Sequence, residues 1–174
     1  WVILDMALAQ LGVVSVPVYP TISSREYAYI FGESEISYCF VGEGDLYGKV
    51  EAIRDTVGSI KDIYTFNHQE GRKHWMDLFS NGSMSKLDQI KETIQPDDVA
   101  TIIYTSGTTG NPKGVMLTHN NICTNVLTII PDIPIKPGHT TLSFLPMCHV
   151  FERVVSYAYI YVGAKVYFTG TDNL

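Results

Sequence analysis

Trp1, Leu4, Leu8 and Leu11 recur at helical spacing, and Gly12 follows where a helix C-terminus favours glycine. Val13 to Tyr19 is a nearly continuous apolar, β-branched run closed by Pro20, the pattern of a strand buried on both faces. Ser23 and Ser24 are candidate N-caps for a helix carrying Tyr27, Ile30 and Phe31 on one side, broken at Gly32 to Ser34. The unit then repeats. Tyr38 to Val41 reads as a strand, Leu46 to Ile53 as a helix and Ile60 to Phe66 as a strand. A polar stretch with helical fragments, Asn67 to Gln95, ends at Pro96. Beyond it, Ala100 to Tyr104, Val115 to Leu117, Thr140 to Leu145 and Lys165 to Phe168 read as strands, with Asn120 to Ile130 as a helix. One segment resists assignment. Tyr157, Tyr159 and Tyr161 alternate at period two, as in a strand, yet Val150 to Val162 is long enough for a helix.

Alternating elements of this size predict an α/β fold, a layered, largely parallel sheet flanked by helices. No internal repeat, low-complexity tract or clear interdomain linker interrupts it. The composition is globular, and a net charge of −6 disfavours nucleic acid as a partner, since a phosphate-backbone binder needs a basic surface. A local nucleotide site survives that argument, because loop amides and one or two cations can hold phosphates on an acidic protein. Cys39, Cys123 and Cys148 are widely spaced and odd in number. They suit a reducing compartment, argue against a disulfide framework or zinc site, and each reads as a buried apolar thiol. No apolar stretch reaches the ~18–20 residues that span a bilayer. Because the sequence opens at Trp1, the expectation is that it starts at a fragment boundary.

The most informative stretch is Tyr104-Thr105-Ser106-Gly107-Thr108-Thr109-Gly110-Asn111-Pro112-Lys113-Gly114-Val115. It follows an apolar strand directly, and the carboxyl ends of strands are where α/β sheets bind ligands. Gly107 and Gly110 permit close backbone approach, and neighbouring amides can form an anion-binding concavity. Ser106, Thr108 and Thr109 add hydroxyl donors, and Lys113 adds a mobile positive charge. This is not the Walker loop, whose Gly-Lys-Ser/Thr runs into a helix; here Gly114 and a β-like segment follow Lys113.

The run Thr105 to Val115 resembles the signature loop of the adenylate-forming superfamily, which includes acyl-CoA synthetases, luciferases and peptide-synthetase adenylation domains. Leu145-Pro146-Met147-Cys148-His149-Val150-Phe151-Glu152-Arg153 is similar to the second motif of the long-chain acyl-CoA synthetase branch, and Trp1 to Thr21 also resembles that branch. The resemblance implies that Trp1 to Leu174 is part of the large N-terminal AMP-binding domain, without the small C-terminal one. It further implies activation of a long-chain fatty acid by ATP to an acyl-adenylate, then transfer to coenzyme A.

By the same resemblance, Thr105 is the hydroxyl ligand to Mg2+, and Ser106, Gly107, Thr108, Thr109, Gly110, Asn111, Pro112 and Lys113 wrap the β- and γ-phosphates. His149 lies at the mouth of the acyl pocket, and Val150 and Phe151 line that pocket or the nucleotide site; core packing is the competing reading for these three. Glu152 and Arg153 either pair locally or face other parts of the enzyme. Some long-chain members carry a gating tryptophan a few positions after this histidine, and Arg153 stands there instead. His68, His74, His119 and His139 read as solvated or structural. The family's aromatic-Gly-x-Thr-Glu segment, ribose-binding acid, hinge and catalytic lysine have no counterpart before Leu174. The 174 residues alone are therefore expected to bind ATP weakly and not to turn over. A cytoplasmic location is expected, with peripheral attachment to the inner face of a membrane left open. Two alternatives stand beside this reading: adenylation of another carboxylate, aromatic or amino acid, and a non-catalytic nucleotide-binding module.

Overall fold

The structure, a computed structural model, describes residues 1–79, 82–105 and 110–169. They divide into two compact units, one of Pro20–Leu87 with Tyr104–Lys113 and the other of Trp1–Tyr19, Asp88–Ile103 and Gly114–Leu174.

In the first unit, helix α2 (Ser24–Glu33; α1 precedes it in the other unit) starts at a capping box. Ser23 Oγ accepts the Glu26 N–H at 3.2 Å, and Glu26 Oε2 accepts the Ser23 N–H at 2.9 Å. Tyr27, Ile30 and Phe31 are the face it buries, as their spacing requires. Strands β1 (Tyr38–Val41), β2 (Asp62–Thr65) and β3 (Lys73–His74) form a parallel sheet in that order, with Cys39 opposite Ile63 and Thr65 opposite His74. Helices α3 (Leu46–Glu51) and α4 (Arg54–Val57) make the crossover between β1 and β2. Cys39, Val41, Val50, Ile53, Ile60 and Ile63 complete the core. Each buried branched side chain contributes roughly 1.5–3 kcal/mol, so apolar burial holds this unit together.

In the second unit, helix α1 (Val2–Gln10) ends on Gly12 at φ +65°, with the Val13 N–H returning to the Leu8 carbonyl at 3.0 Å and the Gly12 N–H to that of Ala9 at 3.3 Å. A side chain at Gly12 would also press on Ile94. Helix α5 (Met84–Thr93) leads to strand β4 (Val99–Thr105), which pairs with β5 (Lys113–Thr118). Helix α6 (His119–Ile129) follows, capped reciprocally by Thr118 and Asn121. Strand β6 (Thr140–Ser143), helix α7 (Val150–Val162) and strand β7 (Lys165–Phe168) form a parallel βαβ unit, Thr140 opposite Lys165 and Ser143 opposite Phe168.

Two expectations are corrected, and one open assignment is resolved. Val13 to Tyr19 is no strand; its ladder shrinks to one bridge, Ser15 to Thr101, because Pro17 carries no N–H to extend it. Cys123 is exposed on α6 and Cys148 is half-buried, so only Cys39 fits the reading of a buried thiol. Val150–Val162 is helix: the alternating tyrosines are incidental to a 13-residue span on which Tyr157 and Tyr161 fall one turn apart.

Candidate functional site

Thr105 closes β4 and Lys113 opens β5, so the two strands form the neck of the signature loop. Ser106, Gly107, Thr108 and Thr109 lie outside the described residues. At the neck, Thr105 Oγ1 reaches the Lys113 carbonyl at 3.5 Å, too long to occupy the hydroxyl fully. Gly110 has φ +146°, a conformation closed to side-chain-bearing residues, and open space where a Cβ would stand. Thr105, Gly110, Asn111 and Lys113 are exposed, and among the described residues Lys113 forms no ion pair. The flanks thus offer a hydroxyl, open backbone and a cation with no ion pair among the described residues, a donor set that fits a polyphosphate with its magnesium ion.

Helix α2 steadies both ends of this loop. Tyr104 donates its phenol proton to Glu33 Oε2 at 2.8 Å, and the Tyr29 phenol is hydrogen-bonded to both Glu33 and Asn111. Burial, then the bond to Glu33, pushes the Tyr104 phenol up to about 12.

His149, Val150 and Phe151 belong to the other unit, at the N-terminus of α7. All three are exposed, Phe151 at 60%, so none of them packs into the core of the described residues. His149 is the N-cap: its Nδ1 accepts the Phe151 N–H at 3.2 Å. The neutral ring therefore carries its proton on Nε2, away from the helix. Beside it, burial raises the Cys148 thiol, which favours its protonated form.

The buried face of α7 is polar. Glu152, Arg153, Ser156 and Ala158 point inward, while Val150, Phe151, Ile160 and Tyr161 face out. Glu152 and Arg153 do not pair with each other. Glu152 accepts the Ser143 hydroxyl proton from β6. Arg153 forks onto Asp5 of α1, Nη2 to Oδ1 at 2.7 Å and Nε to Oδ2 at 3.0 Å. Its Nη1 donates to Thr101 Oγ1 of β4 at 2.7 Å and its Nη2 to Ser15 Oγ at 3.0 Å. Tyr157 donates to Asp5, and burial ahead of that bond raises its phenol. Both ions of the pair are 3% exposed. Sequence reasoning missed Asp5, Ser15, Thr101 and Tyr157. The available signal was a lone Asp5 in Val2–Leu8 and the adjacent Glu152 and Arg153 within the otherwise apolar Val150–Val155.

Of the four remaining histidines, His74 Nε2 meets the Phe66 carbonyl at 2.9 Å and His139 Nδ1 accepts the Lys136 N–H at 3.4 Å. Among the described residues no helix is long and apolar enough to cross a membrane.

With this geometry in place, comparison with known proteins decides the family. The AMP-binding enzyme family matches residues 1–174, the whole chain. The chain belongs to the AMP-binding enzyme family. Within the curated proteins, it is 31% identical over 191 residues to human long-chain-fatty-acid–CoA ligase 1, covering 99% of this chain and 27% of that one. It is 32% identical over 185 residues to fatty acyl-CoA synthetase A of Dictyostelium discoideum, covering 98% and 27%. A long-chain-fatty-acid-CoA ligase of Archaeoglobus fulgidus has a matching solved structure, at TM-score 0.72 and 26% identity, over 97% of this chain and 32% of that one. The chain thus spans about a quarter of the length of the curated relatives it matches. In this AMP-binding chain, the α/β architecture and parallel strands are those the alternating sequence pattern predicts.

Proposed function

We propose that the protein containing this chain is an AMP-forming acid–CoA ligase that activates long-chain fatty acids. The observation that carries this reading is the coincidence of two things in one chain. Relatives at about 30% identity along nearly its full length are named as ligases of long-chain fatty acids and coenzyme A. The neck of its signature loop also leaves Thr105, the Gly110 backbone and Lys113 open to a ligand.

The reaction is the one the family resemblance implies, and the donor set is compatible with it. A carboxylate oxygen attacks the α-phosphorus of ATP, the α–β anhydride bond breaks, and pyrophosphate leaves with the electron pair. The thiolate of coenzyme A then attacks the acyl carbon and AMP departs. Negative charge builds on the departing β- and γ-phosphates, where Lys113 and the loop amides stabilise it. Thr105 supplies a hard oxygen suited to magnesium, which neutralises phosphate charge when bound. We assign His149, whose Nδ1 accepts the Phe151 N–H, a donor role toward the substrate carboxylate, and exposed Val150 and Phe151 an apolar surface for the acyl chain.

The test is carboxylate-dependent ATP–pyrophosphate exchange by the complete protein across fatty, aromatic and amino acids, with Lys113→Ala and Thr105→Ala alongside. Exchange driven by long fatty acids and weakened by each variant, by about 10²-fold if the donors act on developing charge, is expected. Exchange with only another acid would keep the reaction and replace the substrate. Absence of exchange from a folded protein that binds ATP would favour a non-catalytic nucleotide-binding module.

A further inference from the structure

We propose that Arg153 is a positioning residue, clamping the first turn of α7 so that His149 stays the helix cap and keeps its Nε2 proton facing outward. The inference rests on the reading of His149 as a group that faces substrate. Its geometric basis is independent of that reading.

Arg153 lies four residues after His149, and its N–H closes the first turn on the His149 carbonyl at 3.2 Å. Its side chain runs the other way, into the interior, where the guanidinium is tied to α1 through Asp5, to β4 through Thr101 and to the intervening segment through Ser15. A helix that slips by one residue rotates by about 100° and translates by about 1.5 Å. Neither motion is compatible with a planar fork meeting acceptors from three segments at 2.7–3.0 Å. On its other side the turn is held by Glu152, which accepts the Ser143 hydroxyl proton, and the preceding loop by Ser156, whose hydroxyl donates to the Met147 sulfur at 3.6 Å. The register of α7 is thereby fixed at the residue that caps it. Apolar side chains of similar volume would fill the same space at equal or better stability. They would not define a register, because apolar contact is non-directional.

The experiment uses protein labelled with 15N-histidine. The ring-nitrogen signals of His149, assigned by His149→Gln, and the exchange rate of the Phe151 amide are compared across variants. The wild-type protein is expected to show an acceptor Nδ1 and a protonated Nε2. Asp5→Leu with Arg153→Met replaces the pair by apolar groups. It is expected to keep the melting temperature while His149 becomes a mixture of tautomers and Phe151 exchanges about fivefold faster, the value of one lost helix cap. A double variant with wild-type melting and unchanged His149 and Phe151 signals would overturn the proposal. Arg153→Lys keeps the charge but cannot bridge Asp5, Thr101 and Ser15 together; it is expected to accelerate Phe151 exchange, and unchanged exchange there overturns the proposal even if the double variant unfolds. Loss of carboxylate-dependent activity as a property of the wild-type protein would remove the substrate reading of His149 and leave these signals as they are.

Discussion

Asp5→Ala leaves Arg153 charged and 3% exposed with its carboxylate gone. The guanidinium keeps the hydroxyls of Ser15, Thr101 and Tyr157, each a neutral acceptor, and loses both charge-assisted bonds to Asp5. Breaking a buried ion pair from one side costs about 3–5 kcal/mol, far above the 0–1 kcal/mol of an exposed pair. For a chain of this size each kcal/mol moves the melting temperature by about 2–4 °C, so a fall of roughly 6–20 °C is expected. Replacing both ions by Asp5→Leu with Arg153→Met is expected to restore stability to within about 1 kcal/mol, giving a strongly non-additive cycle. Denaturant titration and calorimetry at neutral pH read both quantities. A cost below about 1 kcal/mol for Asp5→Ala would refute the reasoning, since it requires water to reach and solvate Arg153.

Three further outcomes are expected. Tyr104 keeps its proton in the folded chain to about pH 12 against 10 for a free phenol. Its share of stability is therefore intact below pH 10 and lost as pH rises toward 12. The phenolate absorbance difference between wild type and Tyr104→Phe should lie in that window and move down, without reaching the free value, in Glu33→Gln; a signal at the free value in wild type contradicts the bond to Glu33. Alkylation followed by mass spectrometry should label exposed Cys123 first, half-buried Cys148 more slowly, and Cys39, pushed up to about 12 by burial, only on unfolding. Thr118→Ala removes the acceptor of the Asn121 N–H and is expected to cost about 1 kcal/mol in denaturant titration, with no loss if water replaces the cap.

What the sequence made legible was local. Ser23, one of two candidate caps, announced the start of α2, and Tyr27, Ile30 and Phe31 its buried face, because both signals act locally along the helix; the reciprocal bond from Glu26 needed coordinates. The neck of the loop was legible for the same reason, an apolar strand running straight into small polar residues. The residues around His149 were placed by resemblance; their exposure and the capping role of the ring needed coordinates. Val13 to Tyr19 misled because apolar periodicity reports burial potential and is blind to the donor missing at Pro17. The Asp5–Arg153 pair was invisible because its partners are 148 residues apart and each sits in a run whose apolar neighbours dominate any pattern.

That separation also sets an order of events during synthesis. Pro20–Leu87 is one continuous stretch with a three-stranded parallel sheet and its helices, and it is able to collapse on its own apolar residues soon after it is made. Asp5 has no such option. At about 5–20 residues per second, the ribosome needs roughly 7–30 s after Asp5 to deliver Arg153. Until then the α1 carboxylate has to remain hydrated, and α1, made before Pro20–Leu87, settles after it, leaving its apolar flank available to chaperones while the later helix is still being built.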